Sequence, residues 1–261
     1  MMPTLMELAQ AGAHFGHHRS LVYPKAKRFI YTIKNSVALI NLEQTQARLA
    51  EAQKVLVDHL AAGKSVLFVG TKKSQRQITK QIAESIKAPY INDRWLGGFL
   101  TNFSSFLANI KRTRELEEHL ASEASKSLSK AERLRLGARL ARSQRFLEGV
   151  RQLDELPQLL VLASASQDRV ALKEALQVGI PVIAITDTDI NPEQVTYPIP
   201  ANDDAPRAVE LILRSLVEPA SKLKPRTDSV SRRSKPTATK TVKEVTRKAT
   251  ESKKRKASNA R

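Results

Sequence analysis

Residues 65–74 read Ser-Val-Leu-Phe-Val-Gly-Thr-Lys-Lys-Ser: a short apolar run, then a glycine, two lysines and a hydroxyl residue able to cap a helix. Apolar runs this brief and unbroken belong to strands covered on both faces. The same grammar governs the rest of the chain. A strand over Ser65 to Val69 is followed by a helix capped at Ser74 and running to about Lys87, then by a strand starting at Pro89 to Ile91. Downstream come a strand at Leu159 to Ala163, a helix from Asp168 to Val178 closed by Gly179, a strand at Pro181 to Ile185 and a final helix from Asp203 to Val217. Strands alternating with amphipathic helices predict right-handed βαβ units, hence an α/β domain with a parallel sheet and helices on both faces.

Upstream, residues 4–12 form an amphipathic helix with Thr4 as N-cap and Glu7 at the capping-box position. Phe29 to Ile33 reads as a strand with Val37 to Ile40 as its neighbour, and a helix should run from Glu43 to Ala62 with Gly63 as its stop. The rhythm breaks over residues 103–153, which show no strand signal and no proline. Two helical runs there meet near Lys126 to Lys130, and Leu136, Leu140, Leu147 and Val150 give the seam of an antiparallel coiled-coil pair, with Ser143 at the missing position. Arms of ~25 residues would reach about 35 Å. The expected organisation is a core of residues 1–102 and 154–218, a helical hairpin inserted at 103–153 and a basic tail at 219–261.

The chain of 261 residues carries a net charge of +18, which points to a polyanionic partner. From Pro219 onward fifteen basic residues face three acidic ones, so the tail alone holds +12 and the body +6. That tail has no aromatic residue and too few large apolar side chains to offset chain entropy, so it should be disordered in isolation. The absence of cysteine excludes disulfides, thiolate metal sites and a cysteine nucleophile. The first residues lack the basic and apolar blocks of a signal peptide, and no window has the ~20 apolar residues of a membrane span, so a soluble protein is expected.

An α/β sheet invites a nucleotide site. Val69 to Ser74 sits where a phosphate loop would, yet it lacks the glycine five residues ahead of Gly-Lys-Ser/Thr, and the dinucleotide pattern G-x-G-x-x-G is absent too. No catalysis, cofactor or small-molecule substrate is expected. Lys72 and Lys73 precede a helix N-terminus, where they serve either an RNA phosphate or solvent. His14, His17 and His18 could approach Asp187, Asp189, Asp203 and Asp204 at one sheet edge, as a metal site or as a polar turn anchoring the first helix; no metal is assigned. The stretch Arg94-Trp95-Leu96-Gly97-Gly98-Phe99-Leu100-Thr101-Asn102-Phe103 reads as a tight turn with Trp95 inward, its Arg94, Thr101 and Asn102 available to phosphate or sugar. Further candidate RNA contacts are Lys25, Lys27 and Arg28, then Lys111 and Arg112, and the row Arg135, Arg139, Arg142 on one face of the hairpin. In the tail they are Arg232, Arg233, Lys253, Lys254, Arg255 and Lys256.

Several strings occur in a telling order: Ala13-His14-Phe15-Gly16-His17, Pro24-Lys25, Ile40-Asn41-Leu42-Glu43 with Thr45, Phe68-Val69-Gly70-Thr71-Lys72, Arg94 through Asn102, Gly179-Ile180-Pro181-Val182, Asp187-Thr188, and Ile199-Pro200-Ala201-Asn202-Asp203-Asp204-Ala205. Together, over residues 5 to about 218, they resemble the bacterial-type ribosomal protein S-two family of the small subunit. The resemblance implies a flavodoxin-like core with a coiled-coil hairpin, bound to small-subunit rRNA between head and body. It also implies support for subunit assembly and for docking of ribosomal protein S-one, no catalysis and no membrane, in the cytoplasm or on a plastid ribosome. Where the family has an Arg and a Trp-Asn pair, this chain has His18-Arg19-Ser20-Leu21-Val22-Tyr23, and the family's Gly-Gly after the hairpin is Glu148-Gly149. The competing classes are an α/β enzyme with an added basic tail and a free nucleic-acid-compacting protein; thermal shift with nucleotides and fractionation with DNA separate them.

Overall fold

Eight strands in two sheets and seven helices appear among the described residues of a computed structural model, which describes residues 2–122 and 129–221. Helix α1 (Leu5–Gln10) carries the expected capping box, Thr4 and Glu7 satisfying each other's backbone. It leads to a small antiparallel sheet of β1 (Phe15–His18), β2 (Ile30–Lys34) and β3 (Val37–Ile40), in the order β1-β3-β2. β1 departs from the sequence expectation: with two histidines and a glycine among its four residues, it offers no apolar alternation. A 3-10 turn over Pro24–Phe29 links it to β2.

The main sheet follows. Helix α2 (Leu42–Ala61), capped by the Asn41 side chain, precedes β4 (Val66–Val69), α3 (Arg76–Ser85) and β5 (Tyr90–Ile91). After helices α4 (Phe103–Ala121) and α5 (Lys130–Leu147) come β6 (Leu159–Leu162), α6 (Arg169–Val178), β7 (Val182–Thr186), β8 (Tyr197–Pro200) and α7 (Pro206–Ser221). All pairings are parallel in the order β5-β4-β6-β7-β8. Counted from β4 this is 2-1-3-4-5, the flavodoxin-like order, with its switch point between β4 and β6.

Why β4 and β6 are apolar throughout, and β7 as far as Ile185, is visible in the two cores. Val66, Phe68, Leu159, Val161, Ile183 and Ile185 point to the layer built by α1, α2, α3 and α7. Their neighbours Leu67, Val69, Leu160, Leu162, Val182 and Ala184 point to the opposite layer, with α6, Trp95, Phe99 and the roots of α4 and α5. A period of two with both faces covered leaves no place for a polar side chain.

Several boundaries differ from the sequence reading. Ser74 caps nothing: α3 begins at Arg76, and the turn before it closes through Gln75 and Arg76 amides donating to Lys72 O. The final helix starts at Pro206, because Asp203 and Asp204 turn into a polar cluster, and it runs on to Ser221. Pro219 lies within that helix and cannot donate to the carbonyl of Ser215; Gln53 Nε2 does so instead, at 2.6 Å. β8 escapes the sequence reading because Pro198 and Pro200 interrupt its pattern. Helices α4 and α5 pack on each other, with Gln144 Nε2 donating to Glu117 and Arg151 paired with the same carboxylate. At their root Ile110, Leu147 and Val150 are buried, whereas Leu136 and Leu140 are half-buried. Of the tail expected to be disordered over 219–261, residues 219–221 instead close α7, and 222–261 lie outside the described residues.

Candidate nucleic-acid interface

In doubly wound folds ligands enter at the carboxyl ends of the strands flanking the switch point. Here that crevice is filled by the chain's own polar groups. Thr71, just past β4, donates through Oγ1 to Asp168 Oδ1 at 2.6 Å. Lys72 turns inward, its Nζ 3.3 Å from Asp203 and 2.6 Å from Asp204. Ser164, past β6, donates to the other oxygen of Asp203 at 2.6 Å, and Gln75 Nε2 donates to the Asp203 carbonyl. Past β7, Asp187 accepts from the amides of Thr188 and Asp203 and lies 3.0 Å from His17 Nδ1, an ion pair by distance without ideal hydrogen-bond alignment. The small sheet is thereby tied to the large one.

Three carboxyls, Asp168, Asp187 and Asp203, are almost fully buried in this cluster. Burial pushes Asp168 up to about 6 against the opposing Thr71 hydrogen bonds, and it raises Asp203 against its Ser164 and Lys72 partners. The close pairing with Asp187 lifts His17 to about 9, against burial and with help from the charges of Asp187, Asp189 and Asp203. Burial works against the Lys72 ammonium, but Asp204 and Asp203 outweigh it and raise its proton affinity. His17 and Lys72 are thus the cations that neutralise the cluster. His17, Asp187 and Asp204 also present ligand atoms within 4.8 Å of one another, a spacing a divalent ion can bridge. His14 and His18 stand apart, the first against the Phe15 ring and the second on Ser20 Oγ, while Asp189 pairs with Arg169.

The stretch 94–102 forms the second arrangement. Trp95, Phe99 and Leu100 are buried, with the Trp95 and Phe99 rings edge-on at 5.2 Å. Arg94, Gly97, Thr101 and Asn102 are exposed. Beneath the turn lies Glu174 of α6, which in the sequence passes for one more charge on an amphipathic helix. Its signal is positional: with Ala171 and Ala175 it falls on the buried stripe, where a carboxylate needs donors.

The remaining predicted contacts divide by what they touch. Lys25 is paired with Glu193, and Lys72 is consumed as described. Lys27, Arg28, Lys73, Arg94, Lys111, Arg112, Arg135 and Arg139 are exposed and make no ion pair among the described residues, although Arg28 lies over the Phe29 ring at 4.8 Å. The Arg142 side chain and Arg232, Arg233, Lys253, Lys254, Arg255 and Lys256 lie outside the described residues. An inward-facing cluster that neutralises itself and an outward array of bare cations on the same scaffold suit a polyanion better than a small ligand.

Comparison with known proteins gives the family. The sequence profile of the family described as Ribosomal protein S2 matches residues 8–222. The chain belongs to the ribosomal protein S2 family. It is 39% identical to small ribosomal subunit protein uS2 of Wolinella succinogenes over 217 residues, covering 83% of this chain and 80% of that protein. With the uS2 protein of Thermus thermophilus it shares 41% identity over 215 residues, covering 82% and 84% of the two chains. The uS2 protein of Sinorhizobium medicae is 41% identical over 219 residues, covering 82% and 86%. This uS2-type chain is a structural protein of the small ribosomal subunit, not an enzyme. None of its described helices is long and apolar enough to cross a membrane.

Proposed function

We propose that this uS2-type chain holds small-subunit rRNA through Lys27, Arg28, Lys73, Arg94, Lys111, Arg112, Arg135 and Arg139, with Thr101 and Asn102 reaching sugar or phosphate. Lys25, Arg142 and the basic residues of the tail add to the same field. The observation that carries this reading is the sorting of charge: those eight cations, four on the core and four on α4 and α5, are exposed without an ion pair among the described residues, while Lys72 and His17 are spent inside. Bare cations displace the counterions condensed on the phosphate backbone, and the rigid α/β core fixes their register, so recognition is by shape more than by sequence. Helices α4 and α5 serve as a coiled-coil hairpin carrying Arg135 and Arg139 away from the core. Family resemblance supports a further role in subunit assembly and in docking ribosomal protein S-one, in the cytoplasm.

The test is removal of residues 222–261, which leaves α7 whole. Affinity for small-subunit rRNA should then fall less steeply with salt, by about one unit of log–log slope for each phosphate no longer neutralised. The melting temperature should stay where it was. An unchanged slope, or a truncated chain that melts much earlier, contradicts the reading.

A further inference from the structure

Glu174 is 7% exposed and Trp95 8% exposed, and the two meet in the apolar layer formed by Phe99, Leu100, Ala171, Leu172 and Ala175. Burying a carboxylate in such a place is costly unless its oxygens are saturated with donors. They are. Oε1 accepts from Trp95 Nε1 at 3.1 Å and from the Gly98 amide at 2.7 Å; Oε2 accepts from the Leu100 amide at 3.0 Å and the Thr101 amide at 3.5 Å. Every one of those donors belongs to a single turn. Gly98 reaches the carboxylate with φ +88°, a conformation that strains any residue with a side chain. Its carbonyl then accepts from the Asn102 amide at 2.7 Å, and Asn102 Oδ1 accepts from Ser105 Oγ at 3.0 Å, passing the geometry on to the start of α4.

The sheet gains nothing from this arrangement that an apolar side chain at 174 would not supply, since α6 already packs through Ala171, Leu172 and Ala175. What the carboxylate fixes is the backbone between Trp95 and Thr101, and with it the outward direction of Arg94, Thr101 and Asn102. We infer that Glu174 is the positioning residue of the RNA-contacting turn, one buried carboxylate presetting the turn so that binding does not have to order it. This rests on the proposal that the turn meets rRNA.

Three variants separate the two. Glu174→Gln keeps shape but sets an NH₂ group against two N–H donors, and Glu174→Met keeps bulk while releasing all four. Arg94→Ala with Asn102→Ala removes what the turn presents; it gives up the Ser105 bond at the start of α4 but keeps all four donors to Glu174. Trp95, the chain's single tryptophan, reports the turn directly through its emission and its quenching by acrylamide. Affinity for purified small-subunit rRNA is measured well below each variant's melting temperature. Both Glu174 variants should fold, expose Trp95 to quencher and bind rRNA roughly tenfold more weakly, the scale of one hydrogen bond to a charged group. The Arg94/Asn102 variant should bind more weakly with Trp95 unmoved. If the Glu174 variants loosen Trp95 yet bind as wild type, or if neither folds, Glu174 is a residue of the fold and the inference is overturned. If the Arg94/Asn102 variant binds as wild type, the turn is no RNA contact, and the underlying reading fails first.

Discussion

Asparagine at position 168 would delete a titration that burial has displaced. Asp168 sits under Thr71, 2.6 Å from its hydroxyl, and its carboxyl is pushed from an ordinary 3.8 up to about 6, chiefly by burial. In the unfolded chain it titrates at the ordinary value. Between about pH 4 and about pH 6 the native state therefore holds a proton that the unfolded state has lost, so stability falls as pH rises through this window and stays lower above it. A tenfold change in proton affinity is worth ~1.4 kcal/mol, which makes the fall about 3 kcal/mol. Asp168→Asn has no proton to lose, and its Oδ1 still accepts from Thr71. Urea unfolding of both proteins at intervals from about pH 4 to about pH 8 gives the difference in unfolding free energy, variant minus wild type. That difference should grow by about 3 kcal/mol across the window. A flat difference, or one that shrinks as pH rises, would refute the argument that burial dominates this carboxyl.

His17 should show a second dependence at higher pH. With Asp187 holding it up to about 9, it contributes stability that is complete below 6.5 and lost as pH climbs through 9. Allowing for a side chain 23% exposed, the wild type should lose about 2 kcal/mol between about pH 7 and about pH 9.5, a loss absent in a His17→Gln denaturant series. Gly149→Ala should destabilise by about 2–3 kcal/mol in thermal unfolding, because a Cβ there would lie 2.2 Å from the Tyr90 carbonyl. At Gly179, where φ is +80° but nothing lies within 4 Å, alanine should cost only about 1 kcal/mol, through backbone strain alone.

Local chemistry is readable wherever one residue's role depends on its near neighbours. The Thr4–Glu7 capping box, the helix expected from Glu43 to Ala62 and the strands expected at 65–69, 159–163 and 181–185 follow from spacing and side-chain type, and the structure has each within a residue or so of those bounds. What stays hidden depends on residues far apart in sequence. Lys72 reads as a free cation, because nothing near it announces that Asp203 and Asp204 come round to meet it. Ser74 offers a hydroxyl at a helix start, yet the helix opens two residues later, where Gln75 is pinned to the Asp203 carbonyl. Glu174 is legible only as a charge on the wrong stripe, and its donors lie more than seventy residues upstream. The histidine and aspartate group is seven residues in the sequence; tertiary packing keeps His17, Asp187, Asp203 and Asp204 together and dismisses the rest.

The prolines that mask β8 give the domain a protection it needs before it reaches a ribosome. Ala201 donates to Thr186 of β7, so the alternate positions 198 and 200 turn their nitrogens away from the sheet, and there proline has no hydrogen to offer. The outward carbonyl of Pro200 is already claimed by Thr45 Oγ1 at 2.6 Å. The edge of β8 thus offers a stray strand almost nothing to zip onto, and the chain can wait for its subunit without clumping.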